Sequence, residues 1–286
     1  MNTQKVSVII PFRNALSITR DCISSVLNQN YKNIEVITIS DREKTLELNT
    51  NHIFMEGDFG PGEKRNAGAK VATGDILFFL DSDCIMLPNT LENLIKVFNE
   101  TQADAVSGKP LTPKKGNLLC YLTGLEYEYR FEQMGENFVS IAATTCFAVK
   151  ANVFKKIGGF EDYTSGEATG EDWDFSKKLT SNNFKIFHTN KVQVIHEHGS
   201  DSIKKFFYRH YMHARYRPTH YKKHKQGFDE YMTRSLFIKT FVLLAIPQTL
   251  SILVKKKEPK ILLLPFISIL RNFSWVLGII IGFVKG

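Results

Sequence analysis

The sequence predicts an α/β protein with a doubly wound, mostly parallel sheet and helices on both faces. Three observations carry this: short β-branched runs that end at proline or aspartate, helix-period segments between them, and acidic residues placed just after the runs. Val6–Ile10 is the first run, closed by Pro11, and Ile34–Ile39 is the second, followed by Asp41. Between them TRDCISSVLNQN places Cys22, Ile23, Val26 and Leu27 at helical spacing, as a crossover helix requires. His52–Met55 reads as a third strand and GEKRNAGAKVATG as a helix ending near Gly74. Ile76–Leu80 is the next strand, and Val192–Ile195 another near the end of the folded body. Strand, helix, strand in this order gives parallel pairing through right-handed crossovers.

Such sheets bind ligands beyond the carboxyl ends of their strands, where Pro11, Asp41 and Asp81 fall. In ILFFLDSDCIML two carboxylates interrupt an apolar run. Residues two apart in extended chain share a face, so Asp81 and Asp83 present oxygens together, and their repulsion calls for a neutralising cation. Oxygen ligands suit Mg2+ or Mn2+, which commonly complete their shell with substrate phosphates. The bland reading of D-S-D is a turn. Upstream, GPGEKRNAGAKVATG offers Gly60 and Gly62 for close backbone approach, with Lys64 and Arg65 just before the helix. Downstream, a glycine-rich loop leads into Glu171, Asp172 and Asp174; acids also favour a helix's first turn, which is the bland alternative for the trio.

The 286 residues, 43% of them hydrophobic, are enough for a sizeable core and exclude a disordered chain. Lys and Arg exceed Asp and Glu by 37 to 29, and Ile203–Lys225 alone holds eight basic residues and no acid, which points to polyanionic partners. Cys22, Cys84, Cys120 and Cys146 show no paired spacing and read as reduced thiols. The N-terminus MNTQKVSVIIPF has no signal-peptide pattern, so the body is expected in the cytoplasm. A dinucleotide dehydrogenase is disfavoured, because VSVIIPFRN lacks the glycine turn such a strand needs.

Taken in order, VSVIIPFRN, EVITIS with Asp41, RNAG, the D-S-D and GEDWDF resemble the family 2 glycosyltransferases, over about Val6–His198. The resemblance implies a GT-A fold, Rossmann-like in its mostly parallel sheet, and inverting transfer from a nucleotide-sugar, expected to be a UDP-sugar. It implies donor contacts at Pro11, Phe12, Arg13, Asp41, Lys64, Arg65, Asp81 and Ser82, and a metal at Asp83. Asp172 matches the family's general base, with Glu171 and Trp173 on the acceptor side and Asp174 structural. A histidine after a late strand often joins the family's metal, making His196 or His198 the candidate, while Arg209 and Arg215 are expected near the donor diphosphate. One departure is that Asp41 precedes Arg42 where the family often has a second acid.

The domain plan is a catalytic domain over 1–200, with a nucleotide-binding half (1–100) and an acceptor-binding half (101–200). A basic aromatic helical segment follows over 201–235, and hydrophobic membrane-associated helices over 236–286. IKKFFYRHYMHARYRPTHYKKHKQ interleaves rings and cations without a nucleic-acid docking motif, and suits an anionic lipid surface better; a solvated basic helix is the plain alternative. Leu236–Val254 and Ile261–Val284 approach bilayer length. A crossing would place KKKEPK on the far side, against the positive-inside bias, and Pro247, Pro265, Lys239 and Arg271 interrupt the segments. Interfacial or re-entrant helices, anchored monotopically or peripherally at the cytoplasmic face, resolve the conflict. That location favours a lipid-linked or polysaccharide acceptor. The competing functions are a nucleotidyltransferase, which releases pyrophosphate, and a non-catalytic lipid- or nucleic-acid-binding protein on a degenerate transferase fold.

Overall fold

The computed structural model describes residues 4–14, 16–113, 116–161, 170–197, 202–216, 218 and 245–285. They fall into two compact units. The first comprises Met1–Leu111 with Arg130–His196, and the second Thr112–Tyr129 with Glu197–Gly286.

The first unit is built on a nine-stranded sheet of order β3 (Asn51–Phe54), β2 (Ile34–Ser40), β1 (Val6–Phe12), β4 (Ile76–Leu80), β8 (Cys146–Lys150), β6 (Ala105–Leu111), β9 (Ile186–His196), β5 (Cys84–Met86), with β7 (Asn137–Val139) also paired to β9. Its first half follows the expected pattern: β1 (Val6–Phe12), α1 (Ser17–Leu27), β2 (Ile34–Ser40), β3 (Asn51–Phe54), α2 (Pro61–Val71) and β4 (Ile76–Leu80). β1 pairs in parallel with both β2 and β4, and β2 with β3. ILFFL is continuously apolar because β4 is buried on both faces. Ile76, Phe78 and Leu80 join one core with α1 and α3 (Thr90–Glu100), while Leu77 and Phe79 join another. The second core takes side chains from α5 (Ala151–Ile157) and α6 (Glu171–Ser181).

The second half of the sheet is mixed rather than parallel. β8 (Cys146–Lys150) runs antiparallel to β4 and to β6 (Ala105–Leu111), and β6 is parallel to β9 (Ile186–His196). β5 (Cys84–Met86) and β7 (Asn137–Val139) are short and antiparallel to β9. β9 is longer than Val192–Ile195, because polar Thr189, Asn190 and Lys191 interrupt its apolar pattern without breaking the strand. Thr189 and Asn190 are held instead by Glu136.

α2 lies hard against β1 and β2 at Gly68. A Cβ there would sit 2.6 Å from Ile9 Cγ2 and 2.8 Å from Ile39 Cδ1. This contact seats the Lys64–Arg65 turn at the strand ends. Gly68→Ala therefore forces the helix off the sheet and is expected to cost about 1–3 kcal/mol, read as a lowered urea midpoint at unchanged slope.

In the second unit α4 (Leu118–Met134) contributes its N-terminal part, and α7 (Ile203–Arg215), α8 (Ala245–Lys256), a 3-10 turn over Pro259–Leu263 and α9 (Leu264–Lys285) complete the described elements. Pro259–Val284 is long and apolar enough by length and composition to cross a membrane. The expected segment Leu236–Val254 is described only from residue 245, and residues 219–235 of the basic segment lie outside the described residues.

Candidate active site

Three groups of close polar side chains gather the sequence's candidate residues at the carboxyl ends of the central strands. In the first, Lys64 Nζ is 2.7 Å from Asp41 Oδ1 and donates to the Phe12 carbonyl at 3.2 Å. Both side chains are buried, at 4% and 0% exposure. Burial pushes the Asp41 carboxyl up, but hydrogen bonds from Lys64 and the Phe59 N–H outweigh it and hold its pKa below the ordinary value. Arg13 and Arg42, both half-exposed, approach Asp58, and Arg13 also lies 3.9 Å from Asp41. Asp58 was not singled out from sequence; its signal is an acid within the GDFGPG loop that follows β3.

Arg65 forms the second group. Its side chain is 3% exposed, with Nη2 2.7 Å from Asp81 Oδ1, Nη1 3.0 Å from Glu171 Oε1, and the guanidinium 5.5 Å from the Phe160 ring centroid. Burial disfavours its charge, yet the two carboxylates hold its pKa above the ordinary value. Asp81 ends β4 and Glu171 begins α6, so one cation ties the D-S-D turn to the helix that carries Asp172. Gly170, at φ 109°, turns the chain into that helix; this is the left-handed region that favours glycine. Glu171, expected on the acceptor side, spends its carboxylate on Arg65. Asp172 is partly exposed and accepts from the Trp173 N–H at 2.8 Å. Trp173 is buried, with Lys177 over its ring, and Asp174 is fully buried.

The third group is Asp83 with His196. β5 pairs with β9 in a register that sets Cys84 opposite His196, which brings His196 Nε2 to 3.4 Å from Asp83 Oδ1. Ligand atoms of Asp83, Cys84 and His196 all lie within 4.8 Å of one another. The pair fits a divalent cation: two ligands about 2.1 Å from one ion at right angles stand about 3 Å apart. Cys84 is a soft sulfur donor and suits Mg2+ or Mn2+ less well than oxygen ligands do; burial, then the charges of Asp83 and Asp81, pushes its thiol pKa up. Its place in the cluster was missed from sequence, although the apolar return CIM after D-S-D is the trace of β5. Pro11 and Phe12 lie at the buried end of β1, and Ser82 in the D-S-D turn between β4 and β5. Arg209 and Arg215 lie on α7 in the second unit, and His198 lies outside the described residues.

A carboxylate and an imidazole at a cation-sized gap, a buried lysine–aspartate pair and a partly exposed acid at a helix start lie at the strand ends of an α/β sheet. The sequence profile described as Glycosyl transferase family 2 matches residues 7–158. Glycosyltransferase GlyG of Streptococcus pneumoniae serotype 4 is 28% identical over 138 residues, covering 44% of this chain and 46% of the relative. Glycosyltransferase GlyA of the same organism is 24% identical over 233 residues, 73% of this chain and 33% of that one. The O-antigen biosynthesis protein RfbC of Myxococcus xanthus is 22% identical over 227 residues, covering 69% of this chain and 18% of its own. This chain thus spans less than half the length of these three relatives. Among solved structures, Staphylococcus aureus TarS superposes with a TM-score of 0.51 at 20% identity over 73% of this chain and 39% of that one, a likeness of fold. The chain belongs to glycosyl transferase family 2 and has a GT-A-like fold.

Two expectations follow from this geometry. Removing the Arg65 guanidinium leaves two carboxylates without their buried partner, so Arg65→Met is expected to lose roughly 3–5 kcal/mol in urea unfolding. For pH, Asp41 has a depressed folded pKa, so its stabilisation is complete above the unfolded value of about 3.9 and is lost as pH falls through the folded one. Unfolding midpoints measured from pH 6 to pH 2.5 should fall mainly below about pH 4, and Asp41→Asn should flatten that decline.

Proposed function

We propose that the protein is a metal-dependent inverting glycosyltransferase. It moves a sugar from a nucleotide donor, a UDP-sugar by preference, to a lipid-linked or polysaccharide acceptor at the cytoplasmic membrane face. The observation that carries this reading is the approach of Asp83 to His196 beside an Arg65 bridge that leads to Asp172. In this reading Asp83 and His196 hold Mn2+ or Mg2+, which supplies neutralisation of charge on the departing diphosphate. The Asp41–Lys64 pair, with Pro11, Phe12 and Arg13, receives the base and ribose. Asp81, Ser82 and Arg65 border the diphosphate.

Asp172 takes the proton of the acceptor hydroxyl as the oxygen attacks the anomeric carbon; the carbon–oxygen bond to the diphosphate breaks in the same displacement. No covalent intermediate is needed, so configuration inverts. Glu171 sets the direction of α6 through Arg65, and Trp173 forms part of the wall beside the acceptor. The relatives GlyG and GlyA, named glycosyltransferases, and the O-antigen protein RfbC support a glycan product.

The test is transfer of label from a panel of UDP-sugars to membrane extracts. Asp172→Asn is expected to lower turnover by roughly 10²–10⁴-fold while leaving the circular dichroism spectrum unchanged. EDTA should abolish transfer, with recovery on adding Mn2+ or Mg2+. Undiminished transfer by the variant removes the base assignment, and release of pyrophosphate in place of a nucleoside diphosphate marks a nucleotidyltransferase.

A further inference from the structure

We infer that α9 lies flat in the headgroup region of an anionic membrane instead of crossing the bilayer. This makes the proposed membrane location specific and rests on it. α9 and the turn before it carry a stripe of large apolar side chains turned to solvent, among them Leu262, Phe266, Phe273, Leu277, Ile280 and Val284. Their spacing of three, four and seven residues puts them on one helical face over the whole element. On α8, Ile246, Leu250 and Val254 are exposed at intervals of four. Contiguous exposed apolar faces of this length mark a docking surface.

The opposite face of α9 is packed into the protein and carries its buried polar residues along with Leu264 and Ile279. Ser268 and Ser274 are buried, and Arg271 is ion-paired with Glu126 of α4. Arg271 falls near the middle of Pro259–Val284, so a crossing would hold that pair at bilayer mid-depth. It would also take Glu128 of α4, which pairs with Lys256, toward the hydrocarbon. α7 runs against α9 with its backbone, because Gly278 leaves no room for a Cβ beside the Tyr211 carbonyl, nor Gly282 beside that of Arg215. Phe207 meets Phe273, and the Trp275 indole N–H donates to His210 Nδ1 at 3.4 Å. A spanning α9 would thus carry Lys204, Lys205, Arg209 and Arg215 alongside it into the membrane.

In the plane, every one of these features is satisfied at once. The stripe enters the boundary between headgroups and acyl chains, while the ion pairs and α7 stay on the wet side. Lys255 and Lys257, exposed at one end of the stripe, meet anionic headgroups. Charge complementarity selects an anionic lipid surface over a second copy of the chain, whose own lysines would repel.

The experiment uses the full chain with a nitroxide on Leu262→Cys, Phe273→Cys or Val284→Cys, since all four native cysteines are buried. Flotation with vesicles containing phosphatidylglycerol is expected, weaker by about tenfold or more with phosphatidylcholine alone or for Phe273→Glu/Ile280→Glu. Collision-based depth measurement should put all three labels at one shallow depth, about 5–10 Å below the headgroups. A deep Phe273 label between two shallow ones overturns the in-plane inference while keeping the membrane location. No flotation with anionic vesicles overturns both, and self-association abolished by Phe273→Glu/Ile280→Glu would then identify a second copy as the occupant.

Discussion

The site depends on one buried guanidinium. Arg65 is held on both sides by carboxylates, from the end of β4 and the start of α6, and stands against Phe160. Breaking such a pair leaves uncompensated charge in a dry place, which makes the contact exacting in geometry even where its net contribution to stability is small. Its consequence is positional: the turn that carries Asp83 and the helix that carries Asp172 take their bearings from the same side chain. Chemistry that needs a cation at a leaving group and a base at an incoming hydroxyl needs those two fixed relative to one another.

The rest of the first unit serves that contact. Gly68 lets α2 settle on β1 and β2, which carries Arg65 to the strand ends. Phe160 stacks on Phe175 at 4.2 Å and meets Phe79 edge-on at 5.1 Å, so the core behind the guanidinium is packed aromatic surface. β5 then folds back onto β9 and delivers His196 to Asp83. The metal-fitting pair is therefore a product of strand register, whereas the Arg65 bridge is a product of helix packing.

Much of this was legible in the sequence, for physical reasons that differ by element. ILFFL was readable as a strand because burial on both faces demands an unbroken apolar run, and the first parallel strands share that signature. The antiparallel half was not, since CIM and NFV are too short to show a period, and the sheet's mixed order arises from pairings between distant segments. Lys64, Arg65, Asp81 and Asp83 stood out by residue type and order. That Glu171 engages Arg65, and that His196 is the described histidine nearest Asp83, required the register and the packing. On α9 the interruption of an apolar segment by Arg271 was visible; that Ser268, Arg271 and Ser274 turn inward, Arg271 to α4, leaving the apolar stripe outward, required the tertiary structure.

The account's central claim is that Arg65 couples the strand end to the helix start, and a double-mutant cycle on Arg65→Met and Glu171→Gln tests it most directly. Unfolding free energies of the two single variants and the double variant give the coupling. The account predicts an interaction of at least about 1 kcal/mol, because Arg65→Met alone strands the buried Glu171 carboxylate, which Glu171→Gln relieves. Effects that add to within about 0.3–0.5 kcal/mol would contradict it.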